Sequence, residues 1–122
     1  MDRVFLILAG VFGAAGVSAG AFGAHALRER LDPELLRVWN TGAEYHLLHA
    51  LALVGVAWAA SRSPGLAASV AGWAMTVGII VFSGSLYVLA LSGARWLGAA
   101  TPLGGLAFIV GWLALAVSAW RG

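Results

Sequence analysis

Four long apolar segments separated by short polar connections account for almost the whole chain. They extend roughly over residues 4–24, 39–60, 66–91 and 102–120. A helix needs about 20 residues to cross a hydrocarbon core of roughly 30 Å, and each segment is close to that length. The pattern therefore predicts a single transmembrane domain, residues 1–122, with an all-α fold of four membrane-spanning helices.

Residues typical of helix starts indicate how the four spans are connected. Asp32-Pro33 predicts an N-cap and a first helical residue, because Asp accepts a hydrogen bond from a free amide and Pro has no amide to leave unpaired. Ser63-Pro64 and Thr101-Pro102 predict the starts of the third and fourth spans in the same way. Short loops make consecutive helices antiparallel, so we expect an up-down-up-down bundle. The charge-rich residues 25–38 predict a short interfacial segment between helices 1 and 2.

Composition places the chain in a membrane and excludes several classes of soluble protein. Apolar residues make up 61% of the 122 residues, charged residues make up 10%, and the mean hydropathy is +0.93, all outside the range of soluble globular chains. The seven arginines are spread over the helix ends instead of forming a basic stripe, so no nucleic acid partner is expected. The sequence has no cysteine, phosphate-binding loop, nucleophile elbow or pair of catalytic carboxylates, so nothing specific indicates an enzyme.

The arginines leave the orientation of the termini almost undetermined. An even number of spans puts both termini on one side of the membrane, and cytoplasmic loops carry an excess of positive charge. The side of the termini has three arginines and the other side has four, which are Arg3, Arg62 and Arg121 against Arg28, Arg30, Arg37 and Arg95. By this narrow margin we expect the loop that holds Arg28 to be cytoplasmic.

Glycine recurs along one face of the first span and along the fourth span. Small residues allow helix backbones to approach closely, which is the usual packing device in lipid. The predicted helix-packing residues are Gly13, Gly16, Gly20, Gly23, Gly104 and Gly111. These faces are more extensive than four small helices need among themselves. We therefore expect a homo-oligomer or a protein partner that the sequence does not identify.

The second span carries ionisable side chains within the expected hydrocarbon region. With Trp39 at the interface, Glu44 lies about 7 Å deep and His49 about 15 Å deep at 1.5 Å per residue. Ionisable groups at such depths are costly and are therefore candidates for function. Hydroxyl groups of the third span are expected at a similar depth. The candidate intramembrane polar site consists of His25, Glu44, Tyr45, His46, His49, Ser83, Ser85 and Tyr87.

Helical geometry separates Glu44 from the two histidines of the same span. At 100° per residue, Tyr45 and these histidines fall within about 100° of arc, whereas Glu44 points elsewhere. A metal site made by Glu44 and a histidine of this helix is therefore disfavoured. We expect Glu44 to pair with an arginine from the loops, either Arg28 or Arg95, or with a hydroxyl group of a neighbouring helix.

Three hypotheses for function remain open. The first is a structural or accessory bundle whose polar side chains form hydrogen bonds between helices and which packs with itself or with a partner. The second is a small-solute or proton transporter or channel that uses Glu44 and His49. The third is binding of a metal, haem or quinone through His25, His46 and His49, although no further strong ligand accompanies them. No cofactor is predicted, and the lipid bilayer is the expected partner.

Four blocks of the sequence resemble a known family. They are Gly20-Ala-Phe-Gly-Ala-His25, Trp39-Asn-Thr-Gly-Ala-Glu-Tyr-His46 with His49, Phe82-Ser-Gly-Ser-Leu-Tyr87, and Thr101-Pro-Leu-Gly-Gly105. These blocks, in this order, are similar to those of the domain-of-unknown-function 423 family, also called the transmembrane protein 256 family. The resemblance covers nearly the whole chain.

The resemblance implies a fold and a location but no activity. It implies a small four-helix, multi-pass protein of the bacterial cytoplasmic (inner) membrane, found also in eukaryotes, with no settled biochemical role. The matched blocks include His25, Tyr45, His49, Ser83, Ser85, Tyr87 and Pro102. His46 departs from the family pattern, in which Gln is associated with this position. Gln is a poor metal ligand, so a metal role of His46 shared by the whole family is not expected.

Overall fold

The computed structural model describes residues 2–121, and these residues form four long helices. They are α1 (Asp2–His25), α2 (Pro33–Arg62), α3 (Leu66–Ser92) and α4 (Thr101–Arg121), with a short 3-10 turn at Arg95–Ala99 before α4. All four are long and apolar enough to span a bilayer. The described part of the chain contains no strand. The predicted all-α membrane fold of four helices is confirmed.

Helix α2 begins as the sequence predicts, but α3 does not. The side chain of Asp32 accepts a hydrogen bond of 2.8 Å from the amide of Leu35, and Pro33 is the first residue of α2. The amide of Ser63 instead donates to the carbonyl of Ala59, so Ser63 closes α2 and cannot open the next helix. The predicted cap at Ser63-Pro64 is therefore wrong. The N-cap of α3 is Gly65, which has no side chain to cap the first turn.

A π-helical segment, Ile79–Ser83, lies in the middle of α3 and is not predicted by the sequence. The amide of Gly84 reaches back five residues to the carbonyl of Ile79, which widens this turn. Ile79 and Ser83, at the two ends of this segment, are both buried. The hydroxyl group of Ser83 faces α2, where it takes part in the polar contacts described below.

Helix α2 occupies the centre of the bundle. Helix α1 packs mainly along α2, α4 packs mainly along α3, and the α3 helix also lies against α2. Aromatic rings of the outer helices occupy the space left by glycines of α3, with Phe5 against Gly72 and Phe108 against Gly78. Helix α1 is largely exposed, and its buried positions are Phe5, Ala9, Gly16 and Gly23.

The closest approach of α4 to α3 provides a test of this packing. A Cβ atom at Gly104 would collide with the backbone of Phe82, whereas a Cβ atom at Gly13 of α1 would meet no atom within 4 Å. Because backbone cannot move aside as a flexible side chain can, Gly104→Ala is expected to lower the free energy of unfolding by about 1–3 kcal/mol. Gly13→Ala is the matched control and should be close to neutral. Thermal unfolding in detergent measures both, and equal melting temperatures for the two variants would contradict the assigned contact.

Candidate intramembrane polar site

His49 of α2 is hydrogen-bonded at both ring nitrogens. Its Nδ1–H donates to the carbonyl of Tyr45 at 2.7 Å, and Nε1–H of Trp112 in α4 donates to its Nε2 at 3.0 Å. A carbonyl only accepts and an indole N–H only donates, so the two partners select the neutral tautomer with the proton on Nδ1. The ring is 3% exposed and stacks on Phe108 with centroids 3.5 Å apart. His49 therefore has no free lone pair for a metal, and a second proton would break the bond from Trp112.

His46 faces a different set of neighbours. Its Nδ1 lies 2.8 Å from the hydroxyl oxygen of Tyr87 in α3, and its ring contacts Phe12 and Gly16 of α1. Its Nε2 is buried and has no hydrogen-bond partner among residues 2–121. His46 and His49 share none of these neighbours, so the two rings do not meet at one ligand position. The described residues also contain no group of three His, Asp or Glu side chains that could hold a metal ion.

The hydroxyl groups of α3 bond to the helices on either side. Ser83 is fully buried, and its Oγ donates to the carbonyl of Gly42 in α2 at 2.7 Å. Ser85 donates to the carbonyl of Phe82 in its own helix and accepts from the hydroxyl of Thr101 in α4 at 2.8 Å. With the contact between Tyr87 and His46, α3 is therefore connected to both α2 and α4 through polar side chains.

Two tryptophans complete the connections between helices. Trp39 of α2 donates through Nε1 to the carbonyl of Ala19 in α1 at 2.8 Å, and Trp112 of α4 donates to His49 in α2. Neither tryptophan is singled out as a polar residue by the sequence, because an indole in an apolar helix is indistinguishable from any other large apolar side chain. As a result, side-chain hydrogen bonds join α1 to α2, α2 to both α3 and α4, and α3 to α4.

Glu44 lies outside this network. Its side chain is exposed, and it makes no hydrogen bond or ion pair within residues 2–121. The expected pairing with an arginine or a neighbouring hydroxyl is wrong for this structure, because Arg95 binds Glu34 at 3.1 Å and Arg28 stays exposed in the loop. The reason is the direction of the Glu44 side chain around the axis of α2. Glu44 points about 160° away from Gly42, the residue that contacts α3.

The two remaining candidate residues lie at the edge of the site or away from it. The ring of Tyr45 is 42% exposed and contacts Phe82 and Phe108, while its hydroxyl makes no hydrogen bond within the described chain. His25 is exposed at the end of α1 and is not near the other two histidines. The structure therefore brings together His46 with Tyr87, and separately Tyr45 with His49, but not His25 or Glu44.

The candidate packing glycines divide into two groups. A Cβ atom added at Gly16, Gly23 or Gly104 would collide with another helix, at Leu47, Trp39 and Phe82 respectively, and one at Gly111 would lie 3.0 Å from Met75. A Cβ atom at Gly13 or Gly20 would meet nothing within 4 Å, so these two take no part in packing within residues 2–121. Gly42, Gly72 and Gly78 do receive aromatic rings from other helices, although the sequence alone does not distinguish them from the exposed glycines.

Comparison with known proteins finds similarity to membrane proteins without an assigned activity. Residues 19–105 match the family described as "Protein of unknown function (DUF423)". The chain is 46% identical to the UPF0382 membrane protein YwdK of Bacillus subtilis over 96% of each chain. It is 39% identical to the UPF0382 inner membrane protein YgdD of Escherichia coli over 98% of this chain and 92% of that one. No solved structure matches it.

A double-mutant cycle tests the bond between His49 and Trp112. His49→Phe keeps the stacking on Phe108, and Trp112→Phe keeps an aromatic ring on α4, so that each variant removes one side of the hydrogen bond. The coupling energy should be about 0.6 kcal/mol and at most about 1.7 kcal/mol, as for other hydrogen bonds between membrane helices. Reversible unfolding in mixed micelles measures it. Tyr87→Phe with Trp112→Phe is the control pair, and equal coupling in both cycles would refute the assigned bond.

Proposed function

This chain belongs to the DUF423 family of membrane proteins, and we propose that it acts in the bilayer as an accessory bundle that associates with a second copy of itself. The association uses an outer face, defined by Gly13 and Gly20 of α1 and by Asn40, Glu44 and Leu51 of α2. By helical geometry these residues lie on the side of the α1–α2 pair that points away from α3 and α4. The polar side chains on the inner side already bond to one another.

The observation that carries this proposal is the exposed carboxyl group of Glu44. It lies on a membrane-spanning helix, two turns further into the span than Arg37 on the same face, and has no partner in the described chain. An acidic side chain at the centre of a span costs about 2.5–3.5 kcal/mol, and less toward the interface. Association that supplies a hydrogen-bond donor to Glu44 recovers part of that free energy.

A second copy of the chain supplies such a donor at a suitable depth. Asn40 lies one turn from Glu44, or about 6 Å nearer to the interface. Its side chain is exposed, and its amide group makes no hydrogen bond within residues 2–121. In a parallel two-fold contact Asn40 of one copy lies one turn above Glu44 of the other, so its amide group can donate across that step to the carboxyl group, twice per interface.

The glycines of α1 allow the close approach that this contact requires. Gly13 and Gly20 border the same outer face, and the space beside each is open. Leu51 of α2, which is 72% exposed, supplies apolar surface next to them. Small residues with a nearby polar side chain are typical of contacts between helices in lipid.

The other two hypotheses receive less support from the geometry. A path for protons or solutes that joins Glu44 and His49 would have to connect side chains that point about 140° apart on α2. His49 itself faces α4, and Glu44 faces away from the bundle. A metal or haem site has no free nitrogen at His49 and no second protein ligand beside the free nitrogen of His46 within residues 2–121.

We also propose that the protein resides in the cytoplasmic membrane of a bacterial cell. Four apolar helices make it an integral, multi-pass membrane protein. The Escherichia coli relative, similar over nearly its full length, is named an inner membrane protein. That name supports the same location for this chain.

Self-association can be measured by energy transfer between labelled copies in liposomes at several protein-to-lipid ratios. The chain has no cysteine, so one cysteine added at the end of the chain takes the label specifically. Glu44→Leu and Asn40→Ala each remove both symmetric hydrogen bonds, which at about 0.6–1 kcal/mol per bond weakens dimerisation roughly seven- to thirtyfold. Glu44→Gln retains an acceptor and should lose less.

A steric pair of variants provides the control. Gly13→Leu places a bulky side chain on the outer face and should abolish the dimer. Ala116→Leu makes a comparable change at an exposed position of α4 and should leave the dimer intact. Unchanged dimerisation in Glu44→Leu and Gly13→Leu, or a strictly monomeric wild-type protein in liposomes, would refute the proposal.

A further inference from the structure

We propose that the end of the bundle where the termini lie contains a binding site for the phosphate group of a membrane lipid. The site is formed by the first turn of α3, by Ser118 and Arg121 at the end of α4, and by Ser63 in the loop before α3. These residues line one cavity of about 200 Å³. That volume is several times the share of one water molecule, about 30 Å³, so it has room for a phosphate group.

The first turn of α3 offers free backbone donors to this cavity. The amides of Leu66, Ala67 and Ala68 have no hydrogen-bond partner within residues 2–121, and the first amide with one is that of Ser69, which bonds to the carbonyl of Gly65. Because Gly65 is the N-cap and has no side chain, no hydroxyl or carboxylate occupies the position that a capping group would take. Free amides and the positive end of the helix dipole favour an anion there.

Ser118 is the second and independent indication of a ligand. Ser118 is 3% exposed, and its hydroxyl is buried without a hydrogen-bond partner in the described chain. A buried hydroxyl in a helix commonly bonds to the carbonyl one turn earlier, as that of Thr76 does to Gly72 here. Ser118 makes no such bond, and it lines the cavity at the start of α3 as well as a neighbouring one of about 270 Å³. Its buried hydroxyl therefore lacks a partner within the described chain, and these two cavities are the places from which a ligand oxygen could supply one.

Two arginines give the site its charge. Arg121 lines the cavity beside Ser118, and Arg62 lines the neighbouring cavity that Ser63 and Ser118 also border. The guanidinium of Arg62 lies 5.6 Å from the ring centre of Trp58, which holds it at this end of the bundle. Arginine binds phosphate oxygens through several N–H groups at once. Asp2, the acidic residue of this end, does not line this cavity but borders an adjacent one that shares Pro64, Gly65 and Ala68 with it.

The surroundings favour a lipid headgroup over a phosphate ion from solution. The cavity lies where α2 and α4 end and α3 begins, which is the level of the membrane interface. Leu66, which lines the cavity, is 79% exposed, and Trp120, which precedes Arg121 in the chain, is 92% exposed. Apolar and indole side chains in that position contact acyl chains and headgroups, as is usual at membrane interfaces. A lipid would thus place its phosphate on the amides and its chains against these side chains.

Native mass spectrometry of the full chain in mild detergent tests the site. The probes are phosphatidylglycerol and phosphatidylcholine with identical acyl chains, and sodium phosphate. Phosphatidylcholine carries a cation next to its phosphate, so the wild-type protein should bind phosphatidylglycerol about tenfold more tightly. Arg121→Gln and Ser118→Ala should each weaken phosphatidylglycerol binding by about tenfold or more, since each removes a hydrogen bond to a charged group.

The backbone contribution is tested by a change that affects one amide alone. Leu66→Pro removes the N–H at the first position of α3, where proline is well tolerated. Leu66→Ala is its control, because it shortens the side chain and keeps the amide. Leu66→Pro should weaken phosphatidylglycerol binding more than Leu66→Ala does, while both retain the helical circular dichroism of the wild type.

Arg3→Gln tests whether binding depends on the residues of this cavity or only on the total positive charge at this end of the bundle. Arg3 lies at the same end of the bundle but lines a different cavity, so its loss should leave binding within about twofold of the wild type. Displacement of phosphatidylglycerol by millimolar sodium phosphate, with the same dependence on Arg121 and Ser118, would support the phosphate site but assign it to a soluble ligand. Equal losses in Arg3→Gln and Arg121→Gln, or no loss in Arg121→Gln and Ser118→Ala, would overturn the proposal.

Discussion

Hydrocarbon offers no hydrogen bonds, and this constraint explains most of the polar contacts in the bundle. A polar side chain in a membrane span must find its partner inside the protein. Some hydroxyl groups bond to a carbonyl of their own helix, and others reach an adjacent one. Ser83 reaches a backbone carbonyl of α2, Tyr87 reaches a histidine of α2, and Trp112 reaches the other histidine. Each bond contributes little free energy, but together they select one arrangement of helices over others with similar apolar packing.

The same constraint distinguishes the inner from the outer side of α2. On the inner side, His49 is fully paired and stacked, which explains a mid-membrane histidine without any ligand. On the outer side, Glu44 is unpaired and exposed. At the end of the bundle, Ser118 is buried without a partner. Unpaired polar groups in a membrane protein are informative because an apolar residue could take their place. Glu44 is therefore the starting point for the dimer, and Ser118 is the starting point for the lipid site.

Features that depend on neighbouring residues in the chain were predictable, and features that depend on other helices were not. The four spans and the cap at Asp32 follow from local composition and hydrogen bonding. The predicted start of α3 is wrong because both Ser63 and Gly65 can occupy its N-cap position. The hydrogen bond from the amide of Ser63 back to Ala59 makes Ser63 the end of α2 and leaves Gly65 as the N-cap. The π-helical turn has no local signal, since it places Ser83 against a carbonyl of another helix.

The candidate site likewise combines features that follow from the local sequence with features that depend on other helices. The depth of the polar residues of α2 could be calculated from the rise of a helix, but the position of the partner helices around α2 could not. His46 and His49 consequently looked like one pair, although they face different neighbours. Gly72 and Gly78 of α3 cannot be distinguished in the sequence from glycines that make no close contact. Their role in packing depends on the positions of Phe5 and Phe108 on the neighbouring helices.

The order of packing in the bundle also has a consequence for its synthesis. Helix α1 rests mainly on α2, and α4 rests mainly on α3, so the chief partner of each helix is a neighbour in the sequence. Each hairpin can therefore assemble as soon as its second helix leaves the ribosome and enters the lipid, without waiting for a distant segment. The remaining step is the docking of two preformed hairpins along α2 and α3, a route with short loop closures and little time in which unpaired polar groups face lipid.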